Sequence, residues 1–378
     1  MSPSPLRIAA LVSLSFSFTG LAHAEDESPP LSIYGWARLD ILANDSRMSA
    51  VEEPEYVLGE PETGLFDGAL TMTPRLSRVG LSIDQWEIDD SEKMTGEGKL
   101  EIDFAGGSGT SAIRLRHAYA TLTAFEHAEL LVGQTADLLS PLFPSTQNDT
   151  QLRFAGNTGD RRPQLRLSAF TNRLHFGVAA AASGLLDERD MDMDGQNDGM
   201  ASGRPMLQWL VEARSRGPRD GVLRIGLWGH VARQELADGT RHAAKSVGMH
   251  FYGPLDDKVI VMGEGYVGDN LSDLGGGIGQ GVNAMTGKPI RSMGGWIEGA
   301  ILPTPKHMFS VGASLDTADR DDIESGDRMR NRTIYSVLRY KPRPALQLGL
   351  EYLNWRTHYK GTSDGVANRY DVHFTVFF

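Results

Sequence analysis

The sequence predicts an all-β protein, a transmembrane antiparallel β-barrel of about sixteen strands. Three observations carry this expectation. The last nine residues alternate, with Tyr370, Val372, Phe374, Val376 and Phe378 on one face of a strand and Asp371, His373 and Thr375 on the other. A strand between lipid and water requires this period of two. The first 24 residues have the layout of a cleaved secretory signal: Arg7, an apolar run over 8–18, and Ala22-His23-Ala24 before Glu25. Between these ends, tight turns and long loops take turns along the chain.

Each element follows from these patterns. The apolar run of the signal is too short to span a bilayer as a helix, and nowhere else do 18 or more apolar residues run together. Residues 25–378 then form the barrel. An aromatic last residue on a period-two strand resembles the terminal signature of bacterial outer-membrane barrels, and the barrel-assembly machinery is expected to engage that strand. The edge of a soluble sandwich would show the same alternation. The chain has no cysteine, so an exported protein of this sequence has no disulfide framework and needs a large closed structure. Glycine is abundant at 43 residues and the mean hydropathy is −0.29. Such dilution is expected where only alternate residues meet lipid.

Alternation and turn signals place strands near 31–43, 69–85, 97–105, 111–123, 128–136, 162–170, 173–182, 205–215, 221–234, 242–253, 258–268, 290–302, 306–316, 329–340, 345–358 and 367–378. Tight turns fall at Thr171-Asn172, Gly217-Pro218-Arg219-Asp220, Gly253-Pro254-Leu255-Asp256, Pro303-Thr304-Pro305 and Lys341-Pro342-Arg343-Pro344. Long connections fall at 44–68, 137–161, 183–204 and 269–289; the turn at 86–96 and the short connection at 106–110 break the pattern. An even strand count puts both ends on the periplasmic side, with the long loops outside. The net charge of −12 becomes −13 without Arg7, and segments 44–68, 86–97, 183–204 and 317–328 together carry −17. The remainder is therefore basic. Acidic outer loops keep a surface hydrated and, beside lipopolysaccharide phosphates, commonly share divalent cations.

The basic residues sit in the strands. In the run 113–119, Ile113, Leu115 and Tyr119 read as outward, which turns Arg114 and Arg116 inward. The same phasing turns Arg38 and Asp40, Arg78, Arg166 and Arg224 inward, while Arg75 would point outward unless a bulge near Pro74 intervenes. A guanidinium facing hydrocarbon costs roughly 2–4 kcal/mol at the midplane, which enforces the inward phase. Several on neighbouring strands would make a throat that attracts anions and holds carboxylates bidentately. Each could instead pair with Asp40, Asp84, Glu101, Asp103, Glu298 or Glu351 and stiffen the wall.

Two further motifs bear on ligands. Asp190, Asp192, Asp194 and Asp198 have the spacing of a calcium loop, but position 12 is Ala201, so the bidentate Glu is missing. A weakly bound Ca²⁺ is the one cofactor this pattern admits, against a plain acidic loop. Residues 275–281 imitate a nucleotide-binding glycine motif without a following helix, so neither a nucleotide site nor a nucleic-acid partner is expected. A barrel enzyme of the lipase or protease type, or a structural or adhesive barrel, is the alternative class. None of the ten histidines has a Ser or Asp at a recognisable catalytic spacing.

Eight segments in order resemble a known family. They are Tyr34-Gly35-Trp36-Ala37-Arg38-Leu39-Asp40, Pro74-Arg75-Leu76-Ser77-Arg78-Val79-Gly80, Gly98-Lys99-Leu100-Glu101-Ile102-Asp103-Phe104, Ile113-Arg114-Leu115-Arg116-His117-Ala118-Tyr119, Leu131-Val132-Gly133-Gln134-Thr135, Gly276-Gly277-Ile278-Gly279-Gln280-Gly281-Val282, Arg330-Asn331-Arg332-Thr333 and Leu350-Glu351-Tyr352-Leu353-Asn354-Trp355-Arg356-Thr357. Together they look like the DcaP-type porins of Gram-negative bacteria, over about residues 31–378. The resemblance implies an outer-membrane homotrimer, embedded in lipid and lipopolysaccharide, that passes small anions such as dicarboxylates. In sixteen-stranded porins the third outer loop folds inward and narrows the lumen; here that loop is 137–161, which would bring Arg153 to the channel. This chain departs from the family pattern at Leu76 and Ala136, and only residues 25–30 precede its first strand where relatives often carry a coiled coil.

Overall fold

The structure is a computed structural model that describes residues 31–60, 67–88, 94–107, 111–146, 150–216 and 222–378. The signal expected over 1–24 and the turn expected at 217–220 lie outside the described residues.

The strands are β1 (Leu31–Asn44), β2 (Ala69–Thr73), β3 (Arg78–Glu87), β4 (Met94–Gly106), β5 (Ala112–Ala124), β6 (Ala128–Ala136), β7 (Arg161–Phe170), β8 (Leu174–Ala181) and β9 (Met206–Arg216). They continue as β10 (Val222–Glu235), β11 (Arg241–Pro254), β12 (Val259–Asp269), β13 (Arg291–Thr304), β14 (His307–Ala318), β15 (Arg328–Arg343), β16 (Leu346–Tyr359) and β17 (Gly365–Phe377). From β3 onward neighbours in sequence pair antiparallel, and β1 pairs with β17 from Trp36↔Phe377 to Asn44↔Arg369, which closes the barrel. The last residue completes the seam, since the Phe378 and Gly35 amides each donate to the other's carbonyl at 3.1 and 3.0 Å. β2 and β3 both pair with β1, over residues 40–44 and 31–36 respectively, so they are two halves of one stave. The barrel therefore has sixteen staves, as expected.

Its burial is inverted relative to a soluble fold. Leu165 and Leu167 are half exposed while Gln164 of the same strand is buried, and Val376 is exposed while Thr375 is buried. An apolar outer face over a polar inner one is the arrangement that a bilayer stabilises, and closure leaves no unpaired sheet edge in lipid.

Two irregularities change the expected phase. The expected single strand 69–85 is broken at 74–77, where Pro74 offers no amide and the Ser77 amide turns back to the Pro74 carbonyl at 2.8 Å. Ser77 then repairs β1 with its side chain: its Oγ accepts from the Arg38 amide at 2.9 Å and donates to the Arg38 carbonyl at 3.1 Å. The break also turns Arg75 inward, where it is buried against Glu52, Glu53 and the Gly107 carbonyl. The second irregularity lies in β5, whose register against β4 passes from Glu101↔His117 to Ile102↔Leu115 and leaves Arg116 as the extra residue of a bulge. Phase reverses there. His117 joins Arg114 and Arg116 on the inner side, and Tyr119, expected outward, follows His117 onto that face, their rings edge to face at 6.0 Å.

Several inner-face residues are apolar, and the loops explain them. Met48, Val57, Leu152 and Ala155 pack with Tyr335, Val337, Leu353 and Trp355 of β15 and β16. Leu138, Leu139, Leu271 and Leu274 pack with Leu210, Trp228 and Tyr266 of β9, β10 and β12. The connections after β1, β6 and β12 thus share buried contacts with the inner wall. Gly156 shows how close the approach is: with φ at +118°, a Cβ there would lie 2.4 Å from the Gly295 carbonyl oxygen.

Candidate functional site

The segment 137–160 leaves β6 and bonds to side chains of strands across the barrel. The Leu138 amide donates to Gln208 at 2.8 Å, the Leu142 amide to Glu264 at 2.8 Å and the Ser145 amide to Glu298 at 2.7 Å. Thr146 Oγ1 donates to Glu351 at 2.7 Å, and the Ser145 carbonyl accepts from Arg339. At its base, the fully buried Arg162 of β7 binds Asp137 at 2.9 Å and Asp273 of the 270–290 connection at 3.0 Å. That connection in turn touches the first: the Phe154 amide donates to the Gly275 carbonyl at 2.7 Å and the Gly159 amide to the Leu274 carbonyl at 2.8 Å. The glycine-rich stretch, which imitates a nucleotide motif in sequence, has a structural use. Gly277 and Gly279 adopt φ of +64° and +73°, and the Gly277 and Ile278 amides cap the Asp316 carboxylate at 3.2 and 2.8 Å.

Beside this segment lies a cavity of about 480 Å³ lined by Arg38, Arg78, Arg116, Arg161 and Arg339, with Trp36, Leu76, His117, Phe143, Gln151 and the 144–146 backbone. Among the described residues no Asp or Glu lines it. The carboxylates that balance the arginines stand behind them: Asp40, Glu101 and Asp103 are at most 2 % exposed. Glu101 accepts from Arg116 at 2.9 Å, from Tyr34 at 2.7 Å and sits 3.1 Å from Arg78. Asp103 accepts from Arg114 at 2.8 and 2.9 Å and from Arg116 at 2.8 Å. Arg38 is held on Asp40, with Asp371 at 3.8 Å, and Arg78 also lies 4.2 Å over the Trp36 ring. The wall thus presents guanidiniums to the lumen and keeps their counter-charges in the second layer, an arrangement that meets anions with N–H donors.

Of the arginines expected to line a pore, the structure brings Arg38, Arg78 and Arg116 into this cavity, with Arg114 beside them on Asp103. The others stand apart. Arg153 pairs with Asp160 at 2.5 Å in a small recess shared with Phe143, Gln151 and Arg161. Burial pushes the Asp160 carboxyl up, but Arg153, Arg161 and Arg162 outweigh this and hold it below the ordinary range. Arg166 faces inward onto Gln164 and the Ala136 carbonyl, and Arg224 onto Glu212, which also binds Arg214 and His250. Arg161 and Arg339 complete the cavity and escaped the sequence reading. Arg161 begins its strand, where alternation has not yet set in. Arg339 alternates with the outward Leu338, but its inner neighbours Tyr335 and Val337 are apolar, which hides the phase.

The acidic connection after β8 gathers Asp190, Asp192 and Asp194, whose ligand atoms lie within 4.8 Å of one another. Asp198 is not among them; it opens the single helical turn α1 (Asp198–Ala201) and accepts from the Met191 amide at 3.1 Å. The three carboxylates already accept amides of Asp194, Gly195, Gln196 and Ala237, at 2.6 to 3.1 Å. The loop is closed by these bonds. The Ser246–His230 contact, 2.6 Å between Oγ and Nδ1, is the arrangement nearest a hydrolytic pair, and the buried His230 Nε2 meets no acid among the described residues.

No protein-family model matches the chain, and no curated protein matches it by sequence. Solved structures do. The DcaP outer-membrane channel of Acinetobacter baumannii superposes over 92% of this chain and 97% of its own, with a TM-score of 0.76 at 17% identity. The anion-selective porin of Comamonas acidovorans matches 92% of this chain and 99% of its own, with a TM-score of 0.62 at 10% identity. OmpT of Vibrio cholerae, in its trimer form, has the same coverage, a TM-score of 0.58 and 10% identity. At such identities the likeness is one of fold. The resemblance read from the sequence is borne out at that level: the chain has the sixteen-stranded porin barrel that the DcaP channel also has.

Proposed function

We propose that the protein is a passive porin of the outer membrane that prefers small organic anions, dicarboxylates among them. The observation that carries this reading is the cavity lining, five guanidiniums and, among the described residues, no carboxylate. In such a space a carboxylate exchanges water for bidentate, charge-assisted bonds, while a cation meets only like charge. The acidic total of the chain does not oppose this, because most of it lies on outer loops, screened within roughly 8 Å at physiological salt. The third loop, anchored on Gln208, Glu264, Glu298 and Glu351, narrows the lumen in this account and sets Phe143 beside the arginines. The names of two neighbours, an anion-selective porin and a trimer, support anion preference and a homotrimer. Export by a cleaved signal over 1–24, assembly through the C-terminal strand and contact with lipopolysaccharide at the acidic loops belong to the same proposal. A barrel enzyme has less support, since in the Ser246–His230 pair the buried His230 Nε2 meets no acid among the described residues. Liposome swelling tests the reading: succinate is expected to enter protein-containing vesicles faster than a neutral solute of similar size. Equal or slower entry of succinate speaks against anion preference, and no swelling with any solute speaks for a structural barrel.

A further inference from the structure

We propose that Arg339 is the residue that sets the anion preference of the pore, held in place by the Ser145 carbonyl of the third loop. This rests on the anion-porin reading above and goes beyond it by ranking the arginines. Every other guanidinium of the cavity has a carboxylate within 4 Å. Arg38 has Asp40, Arg78 has Glu101 at 3.1 Å, Arg116 has Glu101 and Asp103 at 2.9 and 2.8 Å, and Arg161 has Asp160 at 3.6 Å. Arg339 has none among the described residues. Its Nη2 donates to the Ser145 carbonyl, a neutral acceptor, and its Nε has no partner.

The two acids whose charges act on it through space, Glu298 of β13 and Glu351 of β16, are hydrogen-bonded to other groups. Glu298 accepts from the Ser145 amide at 2.7 Å and from the Tyr335 hydroxyl at 2.8 Å, and Glu351 accepts from Thr146 at 2.7 Å. The peptide around Ser145 is thus gripped from both sides, its N–H by an acid of β13 and its C=O by Arg339 of β15. The grip orders the guanidinium without an ion pair, so Glu351 and Glu298 offset its charge only from a distance. An ion-paired arginine still offers N–H donors to a passing solute, but its partner's charge a few ångströms away offsets part of its own. One without an ion pair keeps more of its charge for the solute, and in a narrow, low-dielectric throat that difference weighs most on which ions enter.

The absence of native cysteine makes the test clean, because a single thiol can be labelled after the pore has assembled. In Arg339→Cys channels in a planar bilayer under a salt gradient, the reversal potential is read before and after a cationic or an anionic thiosulfonate reagent. The unlabelled variant is expected to lose at least about threefold in the anion-to-cation permeability ratio; the cationic label should restore it and the anionic label reduce it further. Arg339→Lys, which keeps the charge, should stay within about twofold of the wild type. If Arg339→Cys assembles poorly, Arg339→Gln, whose amide can still donate to Ser145, serves for the same comparison. A wild-type ratio in the Cys or Gln variant, or a ratio indifferent to the label's sign, overturns the assignment to Arg339. A wild-type pore without anion preference overturns the parent reading instead.

Discussion

Replacing Arg162 by Met is expected to lower the unfolding temperature of the detergent-purified protein and to open its loops to protease. Arg162 is fully buried and holds Asp137, both oxygens of which are within 3.1 Å of its Nε, together with the Asp273 carboxylate at 3.0 Å and the Ala182 and Asp273 carbonyls at 3.0 and 2.8 Å. Methionine fills part of the volume and leaves two carboxylates facing each other without a cation. Removing one side of a buried ionic cluster costs about 3–5 kcal/mol, because the remaining charges lose their compensation. The cluster is also where the connections after β6, β8 and β12 meet, since the Gly184 and Leu186 amides bind Asp273 as well. Cleavage in 137–160, 182–205 and 270–290 should therefore come before loss of the barrel. The triple variant Arg162→Met, Asp137→Asn, Asp273→Asn should recover part of the loss. Unchanged unfolding and unchanged cleavage in the single variant would mean that the loops are held by their apolar contacts alone.

Changing Arg114 and Arg116 to Ala is expected to move the pore's selectivity strongly toward cations. The reason is twofold. Two positive charges leave the wall, and Asp103, which both arginines cover, keeps among the described residues the Ala105 amide at 3.2 Å as its side-chain hydrogen-bond donor, with Arg78 acting on it through space. Glu101 fares better, keeping Tyr34 and Arg78. At an effective dielectric near 20, one charge about 4 Å from an ion is worth roughly 4 kcal/mol before desolvation and salt, so a tenfold fall in the anion-to-cation ratio is a conservative expectation. Adding Asp103→Asn should return part of that ratio by removing the uncovered charge. If the double variant keeps the wild-type reversal potential, these arginines serve the wall and not the solute.

The barrel itself was legible because lipid imposes one rule on every stave. Runs such as Leu165-Arg166-Leu167 and Phe374-Thr375-Val376 admit a single phase, and turns rich in Pro, Gly and Asp mark where the chain reverses. What lies inside was less legible. The inner face answers to several demands at once, so Trp228, Tyr335 and Trp355 point inward to hold loops where a polar residue was expected. The bulge at Arg116 could not be read because it depends on the register against β4, and it alone decides that His117 and Tyr119 face the lumen. The break at 74–77 was half visible in Pro74, and its consequence, an inward Arg75 on Glu52 and Glu53, needed the first loop in place. The pairing of arginines with acids likewise follows from strand neighbours. Arg116 meets Glu101 because Glu101 lies opposite His117, a relation no spacing along the chain reveals.

The central claim is that guanidiniums face the lumen and their counter-charges do not. The reversal potential of the wild-type protein in a planar bilayer, under a gradient of potassium chloride, tests it most directly. The expected sign reports anions as the more permeant ions, and the expected magnitude falls as salt rises and screens the wall. A potential of the opposite sign, showing a cation-preferring pore in spite of the five arginines of its cavity, would contradict it.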